Sequence, residues 1–174
     1  PEGPQVVPPA VDYVIINMMK GVVQRGTAHA AQALGRPTAG KTGTSADFKD
    51  AWFNGFTADL LCSVWVGRDD SKPIGTNITG GAASAPIWLD FMQKAHPRTP
   101  IRDFPAPPGV TFARVDPVKG DPAPPGRDAV WMPFVRGTLP AKFLSTPPVH
   151  SFAELVPAPP VPRGTAPCKS LSCL

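Results

Sequence analysis

Of the 25 prolines in this 174-residue chain, 18 lie from Pro97 onward. Proline fixes φ and has no amide hydrogen, so a segment this rich in it is excluded from regular helices and central strands. The ordered fold is therefore expected in residues 1–96, and residues 97–174 as a proline-rich, mostly irregular or disordered extension. Pro-Ala-Pro-Pro recurs in that extension, and Trp131, Phe134 and Phe143 stand as isolated aromatics within it. Polyproline II segments carrying short recognition elements are the expected outcome there.

Ahead of Pro97 the hydrophobic period changes twice. Val11, Val14, Ile15, Met18 and Val22 recur at helical spacing, which predicts a helix from Pro9 to Arg25 with one buried stripe, Pro9 in its first turn and Gly26 as its stop. Residues 36–44 then read as a strand entered through Pro37, followed by strands over 51–57 and 60–67. Ala58-Asp59 is short enough for a hairpin, so the last two strands should pair antiparallel. Trp52, Phe53, Phe56 and Trp65 are read as core and sheet-face residues, and Gly55 as room for close packing beside the first strand. Residues 85–95 restore the helical period, with Ile87, Trp88, Phe91 and Met92 on one face and Pro86 in the first turn. The predicted class is α+β, an antiparallel sheet covered by helices, with the proline-rich irregular tail behind it.

Charge and composition exclude several classes of function. The net charge is +4, but no run of five or six basic residues occurs, so nucleic acid is not expected as a partner. No stretch of 18 to 20 apolar residues is present, and the start has neither an initiator Met nor the layout of a signal peptide. A piece of a longer protein, with any export signal or anchor outside it, is the expectation. Cys62 sits in an apolar strand and reads as a small core residue. Cys168 and Cys173 are spaced to close a small disulfide loop or to remain free thiols in the tail, and no second Cys/His pair accompanies them for zinc. Asp69-Asp70 reads as a solvated turn, and His29, His96 and His150 have no Ser/Asp partners in sequence. Neither a metal nor a cofactor is predicted.

The sharpest local signal is Lys41-Thr42-Gly43, a tripeptide found in enzymes that bind penicillin. Its surroundings make it specific: residues 33–45 around the motif, 47–57 and 64–70 for the next two strands, 80–88 at the start of the closing helix, and 18–27 upstream. Together these resemble the carboxy-terminal part of the transpeptidase domain in class A penicillin-binding proteins, over roughly Val11 to Ala95. The resemblance implies a partial serine β-lactamase/DD-transpeptidase-like fold. The activity it implies is serine acyl transfer, cross-linking peptidoglycan stem peptides that end in D-Ala-D-Ala, with β-lactams as further ligands. It also implies a longer parent polypeptide, anchored in the bacterial inner membrane, facing the periplasm and carrying a glycosyltransferase domain as well.

By the same resemblance the strand 41–44 lies antiparallel to an extended substrate. Lys41 supplies positive charge and supports a second serine hydroxyl, Thr42 and Thr44 bind the substrate carboxylate, and the Thr44 amide completes an oxyanion hole. Lys41 and Thr44 are thus the catalytic candidates, with Thr42, Gly43 and Thr44 binding substrate; Gly43, lacking a Cβ, lets a substrate approach the backbone. No serine of the chain heads an S-x-x-K or an S-x-N triplet, so the nucleophile is not in this chain. The isolated chain is expected to be inactive and poorly stable, with the remainder of the parent polypeptide as its partner. Two rivals stand beside this reading: a serine β-lactamase-like hydrolase, and a non-catalytic cell-wall or divisome module that binds through its tail.

Overall fold

A computed structural model describes residues 4–96, 99–123 and 129–144. Helix α1, Pro9–Gln24, starts on Pro8 and Pro9, where the missing amide hydrogens cost nothing because first-turn donors have no helical partner, and Asp12 lies in the positive first turn. Strands β1 (Ala39–Thr44), β2 (Asp50–Phe56) and β3 (Leu61–Gly67) form an antiparallel sheet in the order β1-β2-β3. Helix α2, Ala85–Ala95, follows a wide π turn at Gly80–Ser84. The expected α+β class, an antiparallel sheet covered by helices, is the architecture found.

The first core lies where α2 crosses the inner face of the sheet. Phe53, Ala85, Trp88 and Met92 are fully buried. The rings of Phe53 and Trp88 meet edge to face at 5.2 Å, and Trp88 Nε1 donates to the Gly55 carbonyl at 3.0 Å. Ser84 Oγ, also buried, donates to the Ala51 carbonyl at 2.8 Å. These two bonds satisfy the polar atoms that burial would otherwise strand, and they tie the helix to two points of β2. A Cβ on Gly55 would stand 2.7 Å from the Trp88 ring and 2.6 Å from Phe53, so Gly55, opposite Gly40 of β1, permits the close packing expected beside that strand, and α2 is the element that uses the room.

Two predicted helix faces are corrected. On α1 the buried residues are Tyr13 and Val23, flanked by Ile16, Met19 and Val22, whereas Val11, Ile15 and Met18 are exposed. Helical period alone could not choose, because 13, 16, 19 and 23 recur at the same spacing on a helix that is apolar nearly all round. On α2, Trp88 and Met92 are buried while Ile87 and Phe91 remain half exposed. On the sheet Phe53 is core, and Trp52 and Trp65, 41% and 45% exposed, are sheet-face residues that alternation sends to the face opposite α2.

Within the stretch expected to be irregular, residues 110–115 and 130–135 pair antiparallel as β4 (Val110–Val115) and β5 (Val130–Val135). Pro133, opposite Phe112, is tolerated because a two-stranded ladder needs only alternate amides of each strand. Of the expected recognition aromatics, Phe143 is core and Trp131 and Phe134 are partly buried against core clusters. Phe104 and Phe112 are buried against Tyr13 of α1, with Phe56 and Trp131 beside them, and Phe143 is buried against Phe134. Lys20 on α1 pairs with Asp103 at 2.8 Å. Arg36 holds Thr99 by two bonds of 3.1 Å. The proposed disulfide between Cys168 and Cys173, and His150, lie outside the described residues.

Candidate active-site strand

Among the described residues, strand β1 is an edge of its sheet, paired with β2 on one side. Its register sets Lys41 opposite Asn54, Thr42 opposite Phe53, Gly43 opposite Trp52 and Thr44 opposite Ala51. Directly opposed residues share a face, so Thr42 and Thr44 turn toward the α2 side while Lys41 and Gly43 share the other face with Asn54 and Trp52.

Each side chain of the predicted site has a defined partner. Lys41 is exposed and donates from Nζ to the Thr42 carbonyl at 2.7 Å, which draws its ammonium along its own strand. Thr42 Oγ1 is 2.6 Å from Thr27 Oγ1, in the turn after α1. Thr44 Oγ1 accepts from the Gly80 amide at 3.2 Å. A Cβ on Gly43 would stand 3.3 Å from Trp52 Cβ, tighter than ordinary contact. The structure therefore brings Lys41, Thr42, Gly43 and Thr44 together on one edge and adds Thr27, Gly80 and Gly81, to which no role was assigned from sequence. Gly80 lies so close to the Trp52 and Gly43 carbonyls, and Gly81 to the Thr27 carbonyl, that neither position has space for a side chain. Adjacent glycines before an apolar helix were the available signal; what they make room for is decided by segments distant in sequence.

Beyond Thr44 the chain turns sharply. The Ser45 amide donates to the Asp50 carbonyl at 3.0 Å and the Asp50 amide to Ser45 Oγ at 2.8 Å, closing the β1–β2 connection. Inside it Asp47 and Phe48 both have positive φ, 59° and 54°, a left-handed conformation that a bulky residue rarely adopts. The Ile74 amide holds the Phe48 carbonyl at 3.0 Å.

The remaining candidates are structural. Asp70 is chelated by Arg68 at 2.9 and 3.0 Å and paired with Lys72 at 3.2 Å. His96 is buried between Thr57 and Thr99, and His29 meets Gln32 at 2.9 Å. Cys62 is half-buried, and burial pushes its thiol up from the ordinary value. Among the described residues no group of three His, Cys, Asp or Glu could hold a metal ion.

Over 140 residues, 80% of its length, the chain is 39% identical to penicillin-binding protein 1A of Aquifex aeolicus strain VF5, of which it covers 19%. It is 38% identical over 146 residues to penicillin-binding protein 1A of Pseudomonas aeruginosa, covering 17% of that protein. The crystal structure of penicillin-binding protein 1A from Haemophilus influenzae matches with a TM-score of 0.71 and 26% identity, over 79% of this chain and 22% of that one. The chain thus spans less than a fifth of the length of these curated relatives. No protein-family model matches it.

Proposed function

This chain is homologous to penicillin-binding protein 1A across 80% of its length, and we propose from that premise that it forms the substrate-binding edge of a peptidoglycan transpeptidase. The observation that carries the reading is that Lys41-Thr42-Gly43-Thr44 lies on an edge strand whose outer side is unpaired among the described residues. A stem peptide ending in D-Ala-D-Ala adds to that edge as a further strand, its main chain bonding to β1. Thr42 and Thr44 receive its carboxylate. The Thr44 amide faces the attacked carbonyl as one donor of an oxyanion hole, a role in which losing one donor typically costs about 3 kcal/mol of transition-state stabilisation. Lys41 supplies the fixed positive charge beside them. β-Lactams, which carry a carboxylate and a reactive amide, take the same place.

The nucleophile and its lysine come from a part of the parent polypeptide other than this chain, and the glycosyltransferase activity of that parent is likewise assigned elsewhere. Because the substrate is cell-wall material, the site works outside the cytoplasmic membrane. Among the described residues no helix is long and apolar enough to cross a membrane.

Labelling with a fluorescent penicillin tests the reading. The isolated chain should take up no covalent label, while the complete reading frame should be labelled and should lose the label on Lys41→Ala. Acylation of the isolated chain would refute its inactivity, and undiminished labelling of the K41A protein would refute the role of the strand.

A further inference from the structure

We infer that Thr27 and Gly80 are positioning residues that fix where the Thr42 and Thr44 hydroxyl protons point, so that the β1 edge distinguishes an anionic carboxyl terminus from its amide. This inference rests on the reading of β1 as the substrate strand.

The geometry of the hydroxyls carries the argument. A threonine hydroxyl has one proton to give and two lone pairs to receive. Thr44 Oγ1 already receives the Gly80 amide hydrogen at 3.2 Å, so its own proton turns away from Gly80. Between Thr27 Oγ1 and Thr42 Oγ1, 2.6 Å apart, one of the two protons lies in the shared bond and the other is left to point outward. With Thr27 as the donor in that bond the outward proton is that of Thr42, and the edge then offers two O–H donors, from residues on one face of the strand; with Thr42 as the donor the outward proton is that of Thr27, off the strand. Cα atoms two positions apart on a strand are separated by about 7 Å. A carboxylate lying over Gly43 spans that gap, accepting one bond of about 2.7 Å on each oxygen. A carboxamide places an NH2 group where one acceptor is needed and leaves one hydroxyl without a partner.

The same pair of glycines couples the two hydroxyls. Gly80 is pressed on the Trp52 and Gly43 carbonyls, a Cβ there standing 2.7 Å from the latter, and Gly81 is pressed on the Thr27 carbonyl. The π turn at Gly80–Ser84 is thus a wedge that touches Thr27 on one side and β1 on the other. Its attachment to Ala51 through buried Ser84 holds it against the sheet.

The test is a titration of the 15N-labelled chain with N-acyl-D-Ala-D-Ala and with its C-terminal amide, following the amides of Thr44 and Gly80. The unsubstituted chain should favour the free carboxylate by about tenfold or more, as expected for one charge-assisted bond. Thr27→Val, which replaces the hydroxyl by a methyl group, should reduce that preference to about threefold or less, and Thr27→Ser should restore it. Thr27 is exposed, and Thr27→Ala serves the same comparison if valine crowds Thr42. A preference unchanged in both hydroxyl-free variants overturns the inference, as does an equal loss of affinity for both ligands. Binding of neither ligand by the unsubstituted chain overturns the proposed function itself.

Discussion

At Asp47 and Phe48 two successive side-chain-bearing residues sit in left-handed conformation, with φ of 59° and 54°, three and four positions past the motif strand. Such residues cost on the order of 1–3 kcal/mol each and persist only where their surroundings hold them, here through the Ser45–Asp50 bonds and Ile74. Asp47→Gly should therefore raise the unfolding free energy by up to about 1 kcal/mol in urea denaturation. A fall of that size would show that the Asp47 side chain, 3.9 Å from Lys49, outweighs the strain. At Asp70 the Arg68 guanidinium holds the carboxyl down to about 2. A group lowered in the folded state contributes stability that is present above the ordinary carboxylate range and lost as pH falls toward 2. Carboxyl NMR titration of Arg68→Ala should show the Asp70 midpoint rising toward about 3.9; both partners are exposed, so the effect on stability is small.

Trp88 is the largest fully buried side chain and packs between helix α2 and strand β2, so its removal should dominate any scan of that element. Trp88→Ala is expected to cost about 3–5 kcal/mol, comparable with the whole stability of a small domain. Gly55→Ala crowds the same ring and should cost about 1–3 kcal/mol. The two changes share a space, so the double variant should lose less than the sum of the single losses, measured by chemical denaturation. Additive losses would mean that the Gly55 Cβ is accommodated by backbone movement and not by the ring. At this scale the boundaries were largely legible: α2 over residues 85–95 and the β2–β3 hairpin are where proline, alternation and a two-residue link put them. The 3₁₀ helix His29–Leu34 and the π turn before α2 had no such signal, because neither has a hydrophobic period of its own.

Across the whole molecule, Tyr13 of α1 meets Phe112 of β4 edge to face at 6.1 Å, and Phe56 of β2 meets Phe104 at 5.6 Å. The front half therefore completes its core with residues beyond 97. A chain ending at residue 96 should melt at lower temperature and less cooperatively than one ending at 144, followed by circular dichroism; equal melting would make β4 and β5 passengers. Met18, 62% exposed, with Val11, Ile15, Trp52 and Trp65, leaves much apolar surface uncovered among the described residues.

The motif strand, the helix that follows it and the antiparallel hairpin were determined by local sequence, because period, turn chemistry and proline act over a few residues. Which face of α1 is buried, the use of Phe104, Phe112 and Phe143 as core, and the attachment of Thr27 and Gly80 to Thr42 and Thr44 were decided only in the tertiary structure. Each of these depends on a contact between segments far apart in the chain, and periodicity within one segment carries no information about what the other segment brings to meet it.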